Sequence, residues 1–107
     1  MNKQLKKGIM ELIILNLLSD KEYYGYELSQ FINEYINFKE SSIYIILSRL
    51  ELNGYVEVQR AKSPINNKTV KYYQINKTGK QYLQEMEVEW TKINELFILT
   101  QKKENKE

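Results

Sequence analysis

The sequence predicts a single, mainly α-helical domain with a small β-hairpin. Three observations support this fold class: apolar residues recur at helical spacing up to Leu50, alternation replaces that spacing after Gly54, and helical spacing returns after Asn76. The length of 107 residues fits one domain, since domains usually need on the order of 100 to 200 residues. We therefore expect three helices, a hairpin and a fourth helix, in that order.

The first expected helix runs from Leu5 to Leu18 and ends at Ser19 and Asp20. Its apolar residues occupy most of the helical circumference, so the helix must be covered on more than one side. In so small a protein, we expect the second cover to come from another chain.

The second expected helix runs from Tyr24 to about Tyr35 and is amphipathic. Its apolar stripe consists of Leu28, Phe31, Ile32 and Tyr35. Polar residues lie opposite this stripe, so we expect the helix to bury one side only.

The segment Lys39-Glu40-Ser41-Ser42 opens the third expected helix, with Ser41 or Ser42 as its cap, because serine is a favourable N-cap. Asn53 and Gly54 close it, since glycine suits the left-handed conformation that often follows a helix end. Its outward positions are Ser41, Ser42, Tyr44, Ile45, Ser48 and Arg49.

The hairpin is predicted from two β-rich runs, Tyr55 to Arg60 and Val70 to Ile75. Residues 63–68 join them, and Asn66 or Asn67 can adopt the positive φ that the tip needs. Tyr72 and Tyr73 point to opposite faces of the strand, so we expect one of them to pack inward.

The last helix is predicted from the N-cap Asn76 to about Thr100, with a frayed polar segment beyond it. Leu83, Met86, Trp90, Ile93 and Phe97 follow one another at spacings of three, four, three and four residues. This spacing is typical of a helix that packs along another helix. Packing inside the same chain remains the alternative.

The composition excludes several classes of function. The chain has no cysteine and no histidine, which excludes disulfides, Cys/His zinc sites and catalytic pairs with a histidine base. Nothing indicates another catalytic pair or a nucleotide-binding loop, so we assign no catalytic residue, metal or cofactor. The apolar run from Leu12 to Leu15 is four residues long, whereas a membrane helix needs roughly 20, so we expect a cytoplasmic protein that does not enter a membrane.

The distribution of charge points to a polyanionic partner. Residues 39–80 hold eight cations and three acids, a net charge of +5, although the whole chain carries only +2. The positive charge therefore falls on the third helix and the hairpin. Three helices followed by a hairpin is the order of a winged helix-turn-helix domain, in which the third helix enters the DNA major groove.

Several short motifs resemble those of the PadR family of bacterial transcriptional regulators. They are Tyr24-Gly25-Tyr26-Glu27-Leu28, Ser42-Ile43-Tyr44, Leu47-Ser48-Arg49-Leu50-Glu51, Asn53-Gly54, Lys71-Tyr72-Tyr73-Gln74-Ile75 and Thr78-Gly79. The resemblance covers roughly Lys7 to Ile93. It departs from the family at Ile45, where proline is frequent, and at the hairpin tip.

Membership would imply a homodimeric winged helix-turn-helix repressor with one C-terminal dimerisation helix. Residues 1–75 would form the DNA-binding domain, residues 76–101 the dimerisation helix of the same compact unit, and residues 102–107 a polar tail. The resemblance also implies a small aromatic effector, because several family members respond to such molecules.

The candidate functional residues fall into three groups. Those expected to bind double-stranded DNA are Lys39, Ser41, Ser42, Tyr44, Ser48, Arg49, Arg60, Lys62, Lys68, Lys71 and Tyr72. Those expected at the dimer interface are Leu5, Ile9, Leu12, Leu83, Met86, Trp90, Ile93 and Phe97. Met86 and Trp90 are also candidates to line a flat cavity for a planar ligand.

Alternatives remain open for some of these residues. Arg49 could pair with Glu51 or Glu27 instead of binding DNA, and Tyr44 could lie partly buried against the hairpin. Trp90 could be a dimer-core residue without any ligand. For the whole protein, the alternative is a winged-helix adaptor that makes protein contacts or serves plasmid partition, without a role in transcription.

Overall fold

A computed structural model of the chain describes the backbone of residues 3–105 and the side chains of residues 8–102. The predicted order of helices and strands is confirmed, with one additional strand. The elements are α1 (Lys3–Asp20), β1 (Tyr23–Tyr24), α2 (Gly25–Asn33), α3 (Glu40–Leu52), β2 (Val56–Lys62), β3 (Thr69–Ile75) and α4 (Lys77–Asn105).

Helix α1 supplies the centre of the hydrophobic core. Its fully buried residues are Met10, Ile14, Leu15 and Leu18. Ile9, Leu12 and Leu17 are half-buried, and Ile13 is exposed. The chain therefore covers one side of α1 completely and leaves apolar surface on the other.

Helix α2 ends earlier than the sequence predicts, because the Asn33 side chain fixes the chain after it. Asn33 Nδ2 donates to the carbonyl of Phe38 at 2.8 Å, and the Phe38 N–H donates to Asn33 Oδ1 at 3.0 Å. The predicted four-residue apolar stripe is wrong in part. Leu28 and Ile32 are buried, but Tyr35 lies beyond the helix with 73% of its surface exposed, and the exposed Phe31 packs on its ring.

Helix α3 begins one position before the predicted serines. Lys39 occupies the N-cap position without a side-chain hydrogen bond, so the prediction that Ser41 or Ser42 caps the helix is wrong. The predicted end is confirmed: Gly54 has φ 75°, and the Tyr55 N–H donates to the Leu50 carbonyl at 3.0 Å. This is the left-handed helix end that glycine favours.

The hairpin pairs Val56 with Ile75 at its base and Lys62 with Thr69 at its outer end. The predicted connection, residues 63–68, is confirmed, and Asn67 has φ 59°. The sequence gives no signal for β1, whose two residues pair with β3 in a sheet of order β1-β3-β2. As predicted, one of the two consecutive tyrosines packs inward: Tyr73 is buried.

Helix α4 begins at the predicted cap, because the Gly79 N–H donates to Asn76 Oδ1 at 2.8 Å. Near its start α4 packs against α1, and Leu83 lies in the core. All residues from Glu87 to Lys102 are exposed. The helix also continues to Asn105, past the predicted end near Thr100. It is therefore a projecting arm, and the molecule measures 61 × 29 × 20 Å.

Candidate nucleic-acid interface

Helix α3 presents one face outward because the opposite face is in the core. Its buried residues are Ile43, Ile46, Leu47 and Leu50. Lys39, Ser41, Tyr44, Ile45, Ser48 and Leu52 are exposed, and Ser42 and Arg49 are half-buried. A ligand can therefore reach the outward face of α3 from its first turn to its last.

The hairpin directs cations to the side on which α3 lies. Residues opposite each other on paired strands share a face of the sheet, and Val58 pairs with Tyr73, which packs in the core. Arg60 and Lys71 are the next pair on that face. Lys71 Nζ lies 3.6 Å from Glu51 Oε1 at the end of α3. Cations of the hairpin and the outward face of α3 thus belong to one surface.

The tip of the hairpin is held by Ser63, which is buried. The Tyr24 hydroxyl and Ser63 Oγ are 3.2 Å apart, and the Ile65 N–H donates to the same Oγ at 3.2 Å. The Ser63 N–H also donates to the Lys68 carbonyl at 2.8 Å. These bonds fix the backbone of the loop that carries the exposed Lys68.

Tyr72 lies on the opposite face of the hairpin from Arg60 and Lys71. Its ring centroid is 5.2 Å from that of Tyr24. Burial raises the pKa of Tyr72, and the carboxylate of Glu27 adds to this shift. The predicted DNA contact at Tyr72 is therefore located among acidic neighbours, in contrast to the cations on the other face.

Tyr44 is positioned by a glycine. Its ring lies against Gly25 at the start of α2, so closely that a Cβ atom added to Gly25 would lie 2.6 Å from the Tyr44 hydroxyl. Burial raises the pKa of Tyr44, and the Glu40 carboxylate raises it further. The Tyr44 ring is therefore held at a fixed place on the outward face of α3, with its hydroxyl near the Glu40 carboxylate.

Glu11 joins three helices, which the sequence analysis missed. The Tyr82 hydroxyl of α4 donates to Glu11 Oε1 at 2.7 Å, and Arg49 Nη1 of α3 lies 3.8 Å from Glu11 Oε2. Neither of the expected acids, Glu51 and Glu27, is the partner that the structure gives Arg49. No local pattern could reveal this contact, since Glu11 and Tyr82 are 71 positions apart.

The predicted dimer residues divide between the core and the surface. Leu83 is only 6% exposed and packs in its own chain, whereas Trp90 is 43% exposed and Ile93 and Phe97 are exposed as well. Met86, Ile9 and Leu12 are half-buried. The side chain of Leu5 lies outside the described residues. Further exposed apolar residues on the arm are Val88, Leu96, Ile98 and Leu99.

Within the described part of the chain, no helix is long and apolar enough to cross a membrane. The same residues include no cluster of three acidic side chains arranged to hold a metal ion.

A third helix packed on the core, a cationic hairpin beside it and a short strand that completes the sheet form the winged helix-turn-helix fold. The sequence matches the model of the transcriptional regulator PadR-like family over residues 14–85. The chain belongs to this family, as its motifs indicated. Its members are transcription regulators, which confirms the prediction that the protein is not an enzyme.

Individual relatives agree with this assignment. A protein of Lysinibacillus sphaericus, named uncharacterized protein X, is 36% identical over 97 residues, which cover 87% of this chain and 88% of the relative. A solved PadR-like transcriptional regulator of Bacillus cereus is 34% identical, with a TM-score of 0.74 over 89% of this chain and 97% of that chain. A Streptococcus transcriptional regulator gives a TM-score of 0.79 at 29% identity, over 90% and 95% of the two chains.

The contact between Gly25 and Tyr44 predicts an unusual double-mutant cycle. Gly25→Ala should lower the free energy of unfolding by about 1 to 3 kcal/mol, because the new methyl group displaces the tyrosine ring. In a Tyr44→Ala background the same change should cost little, since the ring is absent. Urea denaturation of the four proteins measures the coupling, and an equal cost in both backgrounds would contradict the assigned contact.

Tyr82 predicts a loss of stability at alkaline pH. Burial, and then the hydrogen bond to Glu11, raise the pKa of Tyr82 from 10.0 to about 12. Its contribution is therefore complete below pH 10.0 and is lost as the pH rises toward 12. Tyr82→Phe should lower the free energy of unfolding by about 1 kcal/mol at neutral pH.

Denaturation of wild type and Tyr82→Phe between neutral pH and pH 11 tests this pH dependence. The other tyrosines titrate in both proteins and cancel in the difference. The wild-type advantage should shrink above pH 10.0; a difference that stays constant would show that Tyr82 ionises normally in the folded chain.

Proposed function

We propose that the protein is a homodimeric transcriptional repressor in the cytoplasm that binds an inverted-repeat operator in double-stranded DNA. One observation carries this proposal: the outward face of α3 and the hairpin cations Arg60 and Lys71 lie on the same surface of the domain. That surface has the shape and the charge to place a helix in the major groove while the hairpin follows the phosphates.

In this proposal, the start of α3 contacts the major groove and its edges. The residues assigned there are Lys39, Ser41, Ser42, Tyr44 and Ser48. Arg60, Lys62 and Lys68 are exposed on the hairpin. They bind phosphates, because such a cation can pair with any phosphate oxygen of the DNA backbone. Lys71 and Arg49 support phosphate binding less strongly, since each has an acidic partner within the protomer. The acidic neighbours of Tyr72 make it the weakest of these assignments.

The exposed arm of α4 supports dimerisation. Large apolar side chains on this arm, among them Trp90, Ile93 and Phe97, are exposed in the single chain. A second copy of α4 related by two-fold symmetry would bury this stripe on both chains at once. The two recognition helices would then meet half-sites roughly 34 Å apart on B-DNA.

An effector site would form only within such a dimer. Trp90 and the half-buried Met86, together with the same residues of the second copy, would line a flat apolar space for a planar aromatic molecule. A shallow depression on the arm lies elsewhere, among Gln84, Glu87 and Thr91. Titration of the Trp90 fluorescence with planar aromatic compounds tests this assignment.

The experiment that tests the proposed function combines sedimentation with a footprint. The purified protein should sediment as a dimer and protect a two-fold symmetric site upstream of a gene whose transcription it lowers. A dimer that binds DNA without altering transcription would favour the adaptor function, and a monomer that ignores duplex DNA would contradict the proposal altogether.

Trp90→Ala should weaken the dimer by about 2 to 4 kcal/mol, because it removes the largest side chain of the α4 stripe. Val88→Ala is the matched control: Val88 is also exposed, and two positions along a helix correspond to opposite sides. Sedimentation equilibrium measures both dissociation constants. Equal effects of the two variants would argue against the predicted interface.

The hairpin lysines should set part of the salt dependence of DNA binding. Each lost phosphate contact lowers the logarithmic salt slope by about 0.9, so Lys62→Gln with Lys68→Gln should flatten it by up to about 3.6 for a dimer. Lys92→Gln, on the exposed arm of α4, removes a charge without changing the slope. Titrations at several salt concentrations measure this. An unchanged slope in the double variant would mean that Lys62 and Lys68 do not touch DNA.

A further inference from the structure

The outward face of α3 has an unusual central line. Ser41, Ile45, Ser48 and Leu52 are spaced four, three and four positions apart, so they follow one another along one side of the helix. All four are exposed. Ile45 has 63% of its surface exposed and Leu52 has 87%. The middle of the surface assigned to DNA is therefore made of two hydroxyls and two aliphatic side chains.

This line lacks the side chains that usually identify a base by paired hydrogen bonds. Such contacts come from arginine or lysine to guanine and from asparagine or glutamine to adenine. Between Glu40 and Leu52, Arg49 is the sole residue of these four types. Its guanidinium lies beside Glu11, to one side of the line. The serines do not replace it, because a single hydroxyl bonds to several bases alike.

Ile45 presents an exposed apolar side chain on this line. The apolar group that a base pair presents in the major groove is the C5-methyl group of thymine. Ile45 lies in the second turn of α3, within the part of a recognition helix that reaches base edges. Its β-branched side chain has few rotamers, so its methyl groups are held in place. Tyr44 is held against Gly25 and leaves Ile45 uncovered.

We propose that Ile45 is a specificity-determining residue that reads a thymine by packing against its C5-methyl group. Each half-site of the operator then contains a thymine that the protein recognises by an apolar contact. This inference rests on the proposed function, since it requires that α3 enters the major groove.

Deoxyuridine provides a direct test, because it differs from thymidine only by the absence of this methyl group. A preferred duplex is first selected from a randomised pool with the purified full-length protein. Each thymine of one half-site is then replaced in turn by deoxyuridine. At the position that Ile45 reads, wild type should bind about fourfold more weakly, the effect of losing one buried methyl contact. Replacement in both half-sites should multiply the losses to about fifteenfold.

Ile45→Ala identifies the residue responsible. This variant should bind the selected duplex more weakly than wild type and should bind the thymine and uridine duplexes equally at that position. Val88→Ala is the control, because Val88 is an exposed aliphatic residue on the arm of α4, away from α3. It should keep the wild-type pattern. Both substitutions trim exposed side chains, and equal melting temperatures verify that all three proteins fold alike.

The outcomes separate this inference from the proposed function. A duplex that is bound tightly but shows no sensitivity to uridine at any position overturns the role of Ile45 and leaves the repressor proposal intact. Persistence of the fourfold loss in Ile45→Ala also overturns it, since another residue must then read the methyl group. Failure to select any duplex defeats the proposed function and this inference together.

Discussion

The burial of one face of α3 is the constraint on which the candidate interface depends. Ile43, Leu47 and Leu50 lie in the same core cluster as Ile14 and Leu15 of α1. With these residues fixed, the helix cannot rotate about its axis, so its opposite face must point outward. The hairpin is tied to the same core through Tyr73, which places its cations beside that face.

The small size of this core also explains why α4, unlike the other helices, has most of its length outside it. Leu83 is its last residue in the core cluster, and the apolar residues that the helix carries beyond Glu87 are exposed. A domain of this size buries a limited apolar area. A helix with so much uncovered apolar surface is consistent with a chain that completes its packing by association.

The order of the helices and strands and the outward face of α3 could be predicted from the sequence, because the signals for both are local. Helical spacing identifies the buried face of α3 and therefore its exposed face. The end of α3 follows from the conformational preference of Gly54, and the start of α4 follows from the capping side chain of Asn76. The positive φ at the hairpin tip follows from the conformational preference of Asn67.

The wrong and missing predictions have non-local causes. Strand β1 has only two residues and exists because β3 pairs with it, and the Asn33 side chain bonds to Phe38 shortly before α3 begins. The partner of Arg49 depends on how α1 packs, which no short pattern encodes.

The contacts of β1 and Glu11 have a mechanical consequence for regulation. Tyr24 links the entrance of α2 to the hairpin tip, and Glu11 links α3 to the first part of α4. These contacts tie the helix-turn-helix, the hairpin and the first part of α4 to one another. In the dimer proposed above, these contacts would oppose a change of shape inside one protomer when a molecule binds between the two α4 helices. Such a molecule would instead turn the two protomers relative to each other, so that the pair of recognition helices no longer matches the pitch of the duplex.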